Sequence, residues 1–143
     1  MIAQVFISGD SSALAVGAGA TAIAIADEAR ASGFDIAIIR TGSRGLFWLE
    51  PMIEVESPRG RLGYGPVAKS EAASLFDAGF LDGGPHAKAL GLVEEIDYLK
   101  GQQRLLFARC GVTDPLSLDD YCRHGGLQGL TRAISLGAKA TIE

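Results

Sequence analysis

Cysteine is scarce in this chain, since only Cys110 and Cys122 occur among its 143 residues. Their spacing matches neither a zinc-binding pattern nor the close Cys-x-x-Cys pair of a redox motif. Two reduced thiols without a ligand role are therefore the simplest interpretation. Histidine is equally scarce, and neither His86 nor His124 has a second ligand at a metal-binding spacing. The sequence therefore predicts no metal site.

The chain also lacks an excess of basic charge and a long apolar run. It carries 13 Lys and Arg against 17 Asp and Glu, for a net charge of −4, so we expect no nucleic-acid partner. The longest weakly polar run, residues 14–26, is shorter than the roughly 20 apolar residues of a membrane span. No basic leader precedes the first apolar segment, which Asp10 interrupts. We therefore expect a cytoplasmic protein with no membrane partner.

Hydrophobic residues make up 48% of the chain, which is enough for one folded domain with a substantial core. Alternating and β-branched segments predict strands, and alanine-rich or amphipathic segments predict helices. The predicted order is strand, helix, strand, strand, strand, helix at 2–8, 13–32, 35–40, 52–57, 61–64 and 69–78. The two strands after residue 50 are predicted to form one hairpin, which is counted as a single β in the order that follows. The expected fold is α/β, with a mixed sheet covered by two helices and the β-α-β-β-α order of a thioredoxin-like domain.

The character of the sequence changes after residue 80. Glycine and proline cluster at 83–85, which predicts a linker and a domain boundary near residue 80. Two short helices are predicted further on, one from Leu116 that Gly125 and Gly126 end, and one over 127–136. No closing element follows them. We therefore expect residues 81–143 to be a linker with the beginning of a truncated second domain.

The loop at residues 41–55 has the frame of a cluster-binding loop but no cysteine. In thioredoxin-like two-iron ferredoxins the corresponding turn carries two thiolates with three residues between them, followed by a proline and a strand. Ser43 and Phe47 stand at those positions, and Pro51 follows. The other two thiolates would lie near residues 9–15, which contain no cysteine either. An iron–sulfur cluster normally needs four thiolates, so we expect no cluster here.

Two longer runs, residues 42–51 and 104–121, resemble the beta subunit of soluble NAD-dependent formate dehydrogenase. That family is related to the flavin-binding subunit of respiratory NADH dehydrogenase. Its members carry a cysteine-free thioredoxin-like domain ahead of a flavin domain. The resemblance implies that residues 1–80 are this cluster-free domain and that residues 81–143 lead into the flavin-binding domain.

The resemblance also implies an electron-transfer complex around this chain. In the family, an alpha subunit oxidises formate at a molybdenum cofactor, and electrons pass through iron–sulfur clusters to FMN and NAD in the beta, or diaphorase, subunit. A gamma subunit carries a two-iron cluster. The family's Gly-Arg-Gly-Gly flavin loop and four-iron cysteine group have no counterpart in residues 1–143. We therefore carry over no catalytic, cofactor-binding or metal residue, and we expect the segment alone to be non-catalytic within this oxidoreductase.

Three residues of the 41–55 loop are candidates for partner docking, namely Arg44, Phe47 and Trp48. Arginine and aromatic residues are enriched at interface hot spots. Packing of Phe47 and Trp48 in the core is an equally open interpretation. Arg44 is expected to pair either with the partner or with a carboxylate such as Glu50 or Glu54.

Other interpretations stay open. Gly17 and Gly19 match a loose Gly-x-Gly-x-x-Ala dinucleotide pattern, but they are predicted to lie inside a helix, whereas a Rossmann turn follows its strand directly. The chain could instead be an independent thioredoxin-like redox or thiol protein that uses Cys110 or Cys122. A retained ferredoxin is a third interpretation, which the colour of a two-iron cluster would reveal. Whether the donor of the complex is formate is decided in another subunit.

Overall fold

The computed structural model describes residues 2–142 and has an α/β fold built on a five-stranded mixed sheet. The strands are β1 (Ala3–Ser8), β2 (Ile36–Thr41), β3 (Ile53–Val55), β4 (Leu62–Tyr64) and β5 (Ala89–Leu92). The helices are α1 (Ser11–Ala15), α2 (Ala18–Ala31), α3 (Ala72–Asp77), α4 (Asp97–Lys100), α5 (Leu118–Arg123) and α6 (Gln128–Ile142). The predicted α/β class is confirmed. No helix within residues 2–142 is long and apolar enough to cross a lipid bilayer.

The strands lie in the order β2-β1-β3-β4-β5. β1 and β2 are parallel, with Ala3 opposite Ile36, because the intervening helices carry the chain back across the sheet before β2 begins. The other neighbours are antiparallel. Mutual backbone hydrogen bonds between Ser57 and Gly60 close the predicted hairpin between β3 and β4.

The main core lies between the sheet and helices α2 and α3. Small residues on α2 allow its backbone to approach the strands, and Ile25 is fully buried among them. The hydroxyl of Thr21 donates a hydrogen bond to the Val67 carbonyl at 3.1 Å, so this buried polar group is satisfied. Phe80 completes the core through edge-to-face contacts with Tyr64 and Phe76, at centroid distances of 5.8 and 5.0 Å.

The prediction of one long helix over 13–32 is wrong in one respect: the structure has two helices there, α1 and α2. The Asp10 carboxylate caps α1 by accepting hydrogen bonds from the backbone N–H groups of Ser12 and Ala13. Gly17 then takes a left-handed φ of 102° and starts α2, a conformation that glycine adopts without steric cost. Gly17 is therefore outside the helix interior, but α1 still separates it from β1, unlike a dinucleotide-binding turn.

The linker predicted to begin at residue 81 is corrected as well. β5 pairs with β4, and Gly65 N–H donates to the Lys88 carbonyl at 2.9 Å. Val93 and Leu99 are buried in a second apolar cluster with Leu46 and Met52. Close packing also requires glycine in this turn, since a Cβ on Gly84 would overlap the Ala78 carbonyl.

The last part of the chain forms the two predicted helices. α5 begins with the Ser117 hydroxyl accepting a hydrogen bond from Asp120 N–H at 3.1 Å. α6 extends past the predicted end, with a break at Gly137, where φ is 77° and ψ is 167°. Neither helix contains a buried residue.

Candidate functional site

The loops after β1 and β2 lie around one open groove of about 1030 Å³. Residues 10–12 line it from the loop after β1, and residues 43–45 and Phe47 line it from the loop after β2. Parallel strands end at the same edge of a sheet, which places these two loops side by side. Tyr98, residues 102–107 and Cys110 form the opposite wall. The sequence analysis drew attention to both loops of the first wall, whereas the second wall comes from the region expected to be a linker.

The groove does not fit an iron–sulfur cluster. Cys110 is the one thiol among its lining residues, whereas a cluster normally needs four thiolates. Residues 2–142 contain no group of three or more His, Cys, Asp or Glu side chains arranged to hold a metal ion. The Ser43 hydroxyl has a local partner, because it accepts a hydrogen bond from Gly45 N–H at 3.0 Å.

Phe47 and Trp48 are exposed, with 60% and 59% of their surfaces accessible. They lie on a short 3-10 turn, Phe47–Leu49, that follows Leu46. Leu46 is fully buried and anchors the turn in the second apolar cluster. Trp48 packs edge-on against the half-exposed Tyr98, with ring centroids 5.1 Å apart. The two aromatic side chains therefore do not pack in the core.

Arg44, a candidate for partner docking, is instead buried, with 4% of its surface exposed. Its Nε and Nη2 donate to the two oxygens of Glu54 at 2.6 and 2.8 Å, and Nη1 donates to Glu94 at 2.6 Å. Burial acts to lower the pKa of Arg44, but the two carboxylates outweigh it, so this pKa lies above its ordinary value. The buried Arg44 side chain therefore stabilises the loop that lines the groove. Of the two carboxylates suggested by the sequence, it pairs with Glu54.

Arg61 holds the two residues that follow Cys110 against the sheet. Its Nη1 and Nη2 donate to the carbonyls of Gly111 and Val112 at 2.9 and 2.7 Å. The guanidinium carbon lies 3.3 Å from the ring centroid of Phe6, in cation–π geometry. Fifty residues separate Arg61 from Gly111, and sequence reasoning gave no signal for this contact.

Glu50 is a second buried carboxylate in the loop, with 7% of its surface exposed. It accepts a hydrogen bond from Met52 N–H at 2.9 Å. Burial raises the pKa of Glu50, the negative charges of Asp10 and Glu54 act in the same direction, and the hydrogen bonds from Met52 and Ser43 only partly oppose the rise. The native state therefore holds this proton more tightly than the unfolded chain does.

We expect Glu50→Gln to flatten the pH dependence of stability. An acid whose native pKa is raised stabilises the fold below its unfolded pKa, and this contribution is lost as pH rises through the native pKa. Gln has no charge to bury and keeps an acceptor for Met52 N–H. The variant should therefore gain stability relative to the wild type between acidic and neutral pH, measured by urea unfolding at a series of pH values.

Asp10→Asn provides a contrast of opposite sign. Although burial acts to raise the pKa of Asp10, its hydrogen bonds from Ser12 and Ala13 lower it below the ordinary value. A depressed native pKa gives stability that is present above the unfolded pKa and is lost as pH falls. This variant should therefore lose stability relative to the wild type as pH rises. Equal profiles for Glu50→Gln and the wild type would contradict the burial of a raised-pKa carboxylate.

Ser74 and His86 also lie together, but with the wrong polarity for nucleophilic catalysis. His86 Nδ1 accepts a hydrogen bond from Lys88 N–H at 3.1 Å, which leaves the proton on Nε2. Nε2 then donates to the Ser74 hydroxyl at 3.2 Å, and that hydroxyl donates to the Glu71 carbonyl at 2.9 Å. A general base needs a free acceptor facing the nucleophile, so this pair is structural.

No protein-family model and no curated protein sequence matches this chain. The resemblance to formate dehydrogenase beta subunits therefore rests on the runs at 42–51 and 104–121. Both runs contribute to the same groove, through 43–45 and Phe47 from the first and through 104–107 and Cys110 from the second.

Proposed function

We propose that this chain is a docking and assembly segment of the NAD-reducing beta subunit of a formate dehydrogenase. In that complex, formate is oxidised in the alpha subunit, and electrons pass through iron–sulfur clusters and FMN to NAD. The observation that carries the proposal is the convergence of two separate family-like runs on one groove. The segment itself supplies no catalytic residue, and a cytoplasmic location belongs to the same proposal.

We also propose that the domain is thioredoxin-like. The order from β1 to α3 supports this, because it is β-α-β-β-α when the divided first helix and the β3–β4 hairpin each count as one element. A mixed sheet in which only β1 and β2 are parallel also supports it. β5 and α4 then extend the domain beyond the boundary implied by the resemblance. On this proposal the groove occupies the place of a lost cluster and now serves protein contact.

The proposed docking surface consists of six large apolar side chains around the groove, each about half exposed or more: Phe47, Trp48, Tyr98, Leu105, Leu106 and Phe107. Contiguous exposed apolar groups of this size mark sites of protein association. Aromatic residues dominate the energetics of such sites. We propose the gamma subunit with its two-iron cluster as the partner, which this surface would orient beside the flavin domain.

Phe47→Ala and Trp48→Ala are each expected to weaken binding of the gamma subunit by about 2 kcal/mol, or roughly thirtyfold. Both side chains are exposed, so the variants should keep the stability of the wild type. The measurement is isothermal titration of the chain with the gamma and flavin-domain partners of its own genome. Ile23→Ala on α2, where Ile23 is 65% exposed outside the groove, is the matched control and should bind normally.

The alternative, an independent small thioredoxin-like redox or thiol protein, is favoured by one observation, which is that Cys110 lines the groove. Failure of the wild type to bind either partner, together with disulfide reductase activity that Cys110→Ser abolishes, would establish this alternative. Normal binding by both aromatic variants would instead remove Phe47 and Trp48 from the docking surface. A coloured protein with the absorbance of a two-iron cluster would contradict the cluster-free assignment.

A further inference from the structure

β2 is an edge strand that lacks the features which normally prevent pairing with another chain. Among residues 2–142 it pairs with β1 alone. Its first four residues, from Ile36 to Ile39, are Ile, Ala, Ile and Ile, and its register with β1 is regular over its whole length. Natural edge strands are usually blunted by charged side chains, prolines, bulges or short length. β2 has none of these over its apolar part.

The one charged residue of β2 does not guard the edge. Arg40 Nη2 donates to the Ser8 carbonyl at 2.8 Å, and Nη1 donates to the Ala18 carbonyl at 3.5 Å. Both acceptors belong to the body of the domain, at the end of β1 and the start of α2. The guanidinium is therefore folded back and leaves the outer side of β2 open.

The opposite edge of the sheet is protected. β5 is only four residues long, and Gly91 within it has a left-handed φ of 77°. Its pairing with β4 is irregular between Gly63 and Tyr64. Short length and irregular pairing are devices that keep edges from extending a sheet. The domain thus presents one open edge and one blunted edge.

We propose that β2 pairs antiparallel with β2 of a second copy of this chain around a twofold axis, so that the two sheets become continuous. Such a contact is isologous and closed, since it consumes the open edge of both copies. Because β2 is apolar from Ile36 to Ile39, an antiparallel copy brings this run against itself with no like charges opposed. No residue of β2 lines the groove, so this contact is independent of partner docking.

The faces of β2 show where the contact can be tested without damage to the core. Ile36 and Ile38 pack against the main core. Side chains alternate along a strand, so Ala37 points to the other face. A lysine at position 37 places a charge in the middle of the edge, as natural guarding residues do. Ala89 on β5 is exposed and offers the same substitution at the blunted edge.

The experiment measures the mass of the full chain by size-exclusion chromatography with light scattering over a dilution series. The wild type should have twice the mass of one chain at the higher concentrations. Ala37→Lys should raise the dissociation constant of the dimer about tenfold or more. Ala89→Lys should leave the dimer unchanged.

Hydrogen exchange of the wild type provides a second measurement that does not depend on a variant. The amides of β2 should exchange more slowly as the protein concentration rises, while those of β5 should not change. A monomeric wild type at every concentration would overturn the proposal. A dimer that persists in folded Ala37→Lys, or one that Phe47→Ala or Ala89→Lys dissociates, would also overturn it. If Ala37→Lys does not fold, the concentration dependence of exchange decides.

Discussion

Arg44→Met is expected to lower the free energy of unfolding by about 3 kcal/mol, because it leaves the Glu54 carboxylate buried without its main partner. Met keeps the apolar stem of the side chain and removes the guanidinium, so the loss reports mainly on charge. Arg61 Nη1 remains 3.4 Å from Glu54 Oε2, which keeps the effect at the lower end of the range for broken buried pairs. Urea unfolding at neutral pH is the measurement.

Two variants test whether burial is the cause. Arg30→Met removes an exposed pair with Asp27, in which both side chains are more than half accessible, and it should cost at most about 0.5 kcal/mol. The double variant Arg44→Met with Glu54→Leu should be less destabilised than Arg44→Met alone, since no unpaired charge is left inside. A loss for Arg44→Met as small as that for Arg30→Met would contradict a buried pair at this position.

Local signals predicted much of the sheet. Alternation and β-branching placed β1, β2 and the β3–β4 hairpin near their observed positions, because these strands bury one face against helices. The division of the first helix was missed, since Gly17 reads equally well as a small residue for close packing. The helix is divided at Gly17 because the backbone there turns with a left-handed φ after α1.

The error at residue 80 has a different physical origin. Glycine and proline at 83–85 are typical of a linker, but here they bring the chain back to pair with β4. Tyr64 Oη donates to the Gly84 carbonyl at 2.9 Å, which holds this return in place. The glycine and proline content of residues 83–85 indicates only local flexibility. It does not indicate a hydrogen bond from a residue twenty positions away. The fifth strand could therefore not be predicted from the local pattern.

The groove itself was not predicted from the sequence. The loop after β2, which the sequence suggests for docking, lines it, and the exposure of Phe47 and Trp48 removes the core-packing alternative. The second wall was missed, although three consecutive large apolar residues at 105–107 in a polar region are an available signal. The burial of Arg44 was not predicted, because part of its surroundings, including Glu94, lies fifty residues away in the sequence.

Gly111→Ala is expected to be costly for two separable reasons. Its φ of 79° is left-handed, which costs an alanine about 1–2 kcal/mol. A Cβ there would also overlap Arg44 Cγ, and Arg44 cannot move aside while Glu54 and Glu94 hold its guanidinium. Overpacking of this kind adds about 1–3 kcal/mol. Urea unfolding, with hydrogen exchange of residues 104–112, is the measurement.

Gly91→Ala separates the two costs, because Gly91 has nearly the same φ but no atom within 4 Å of an added Cβ. It should therefore show the backbone cost alone and leave exchange at 104–112 unchanged. The Gly111 carbonyl accepts a hydrogen bond from Arg61 close to the docking surface. Gly111→Ala should therefore also weaken binding of the gamma subunit, whereas Gly91→Ala should not. Equal losses of stability in the two variants would mean that the Arg44 side chain moves aside at little cost. In that case the buried ion pairs do not fix the position of residues 104–112.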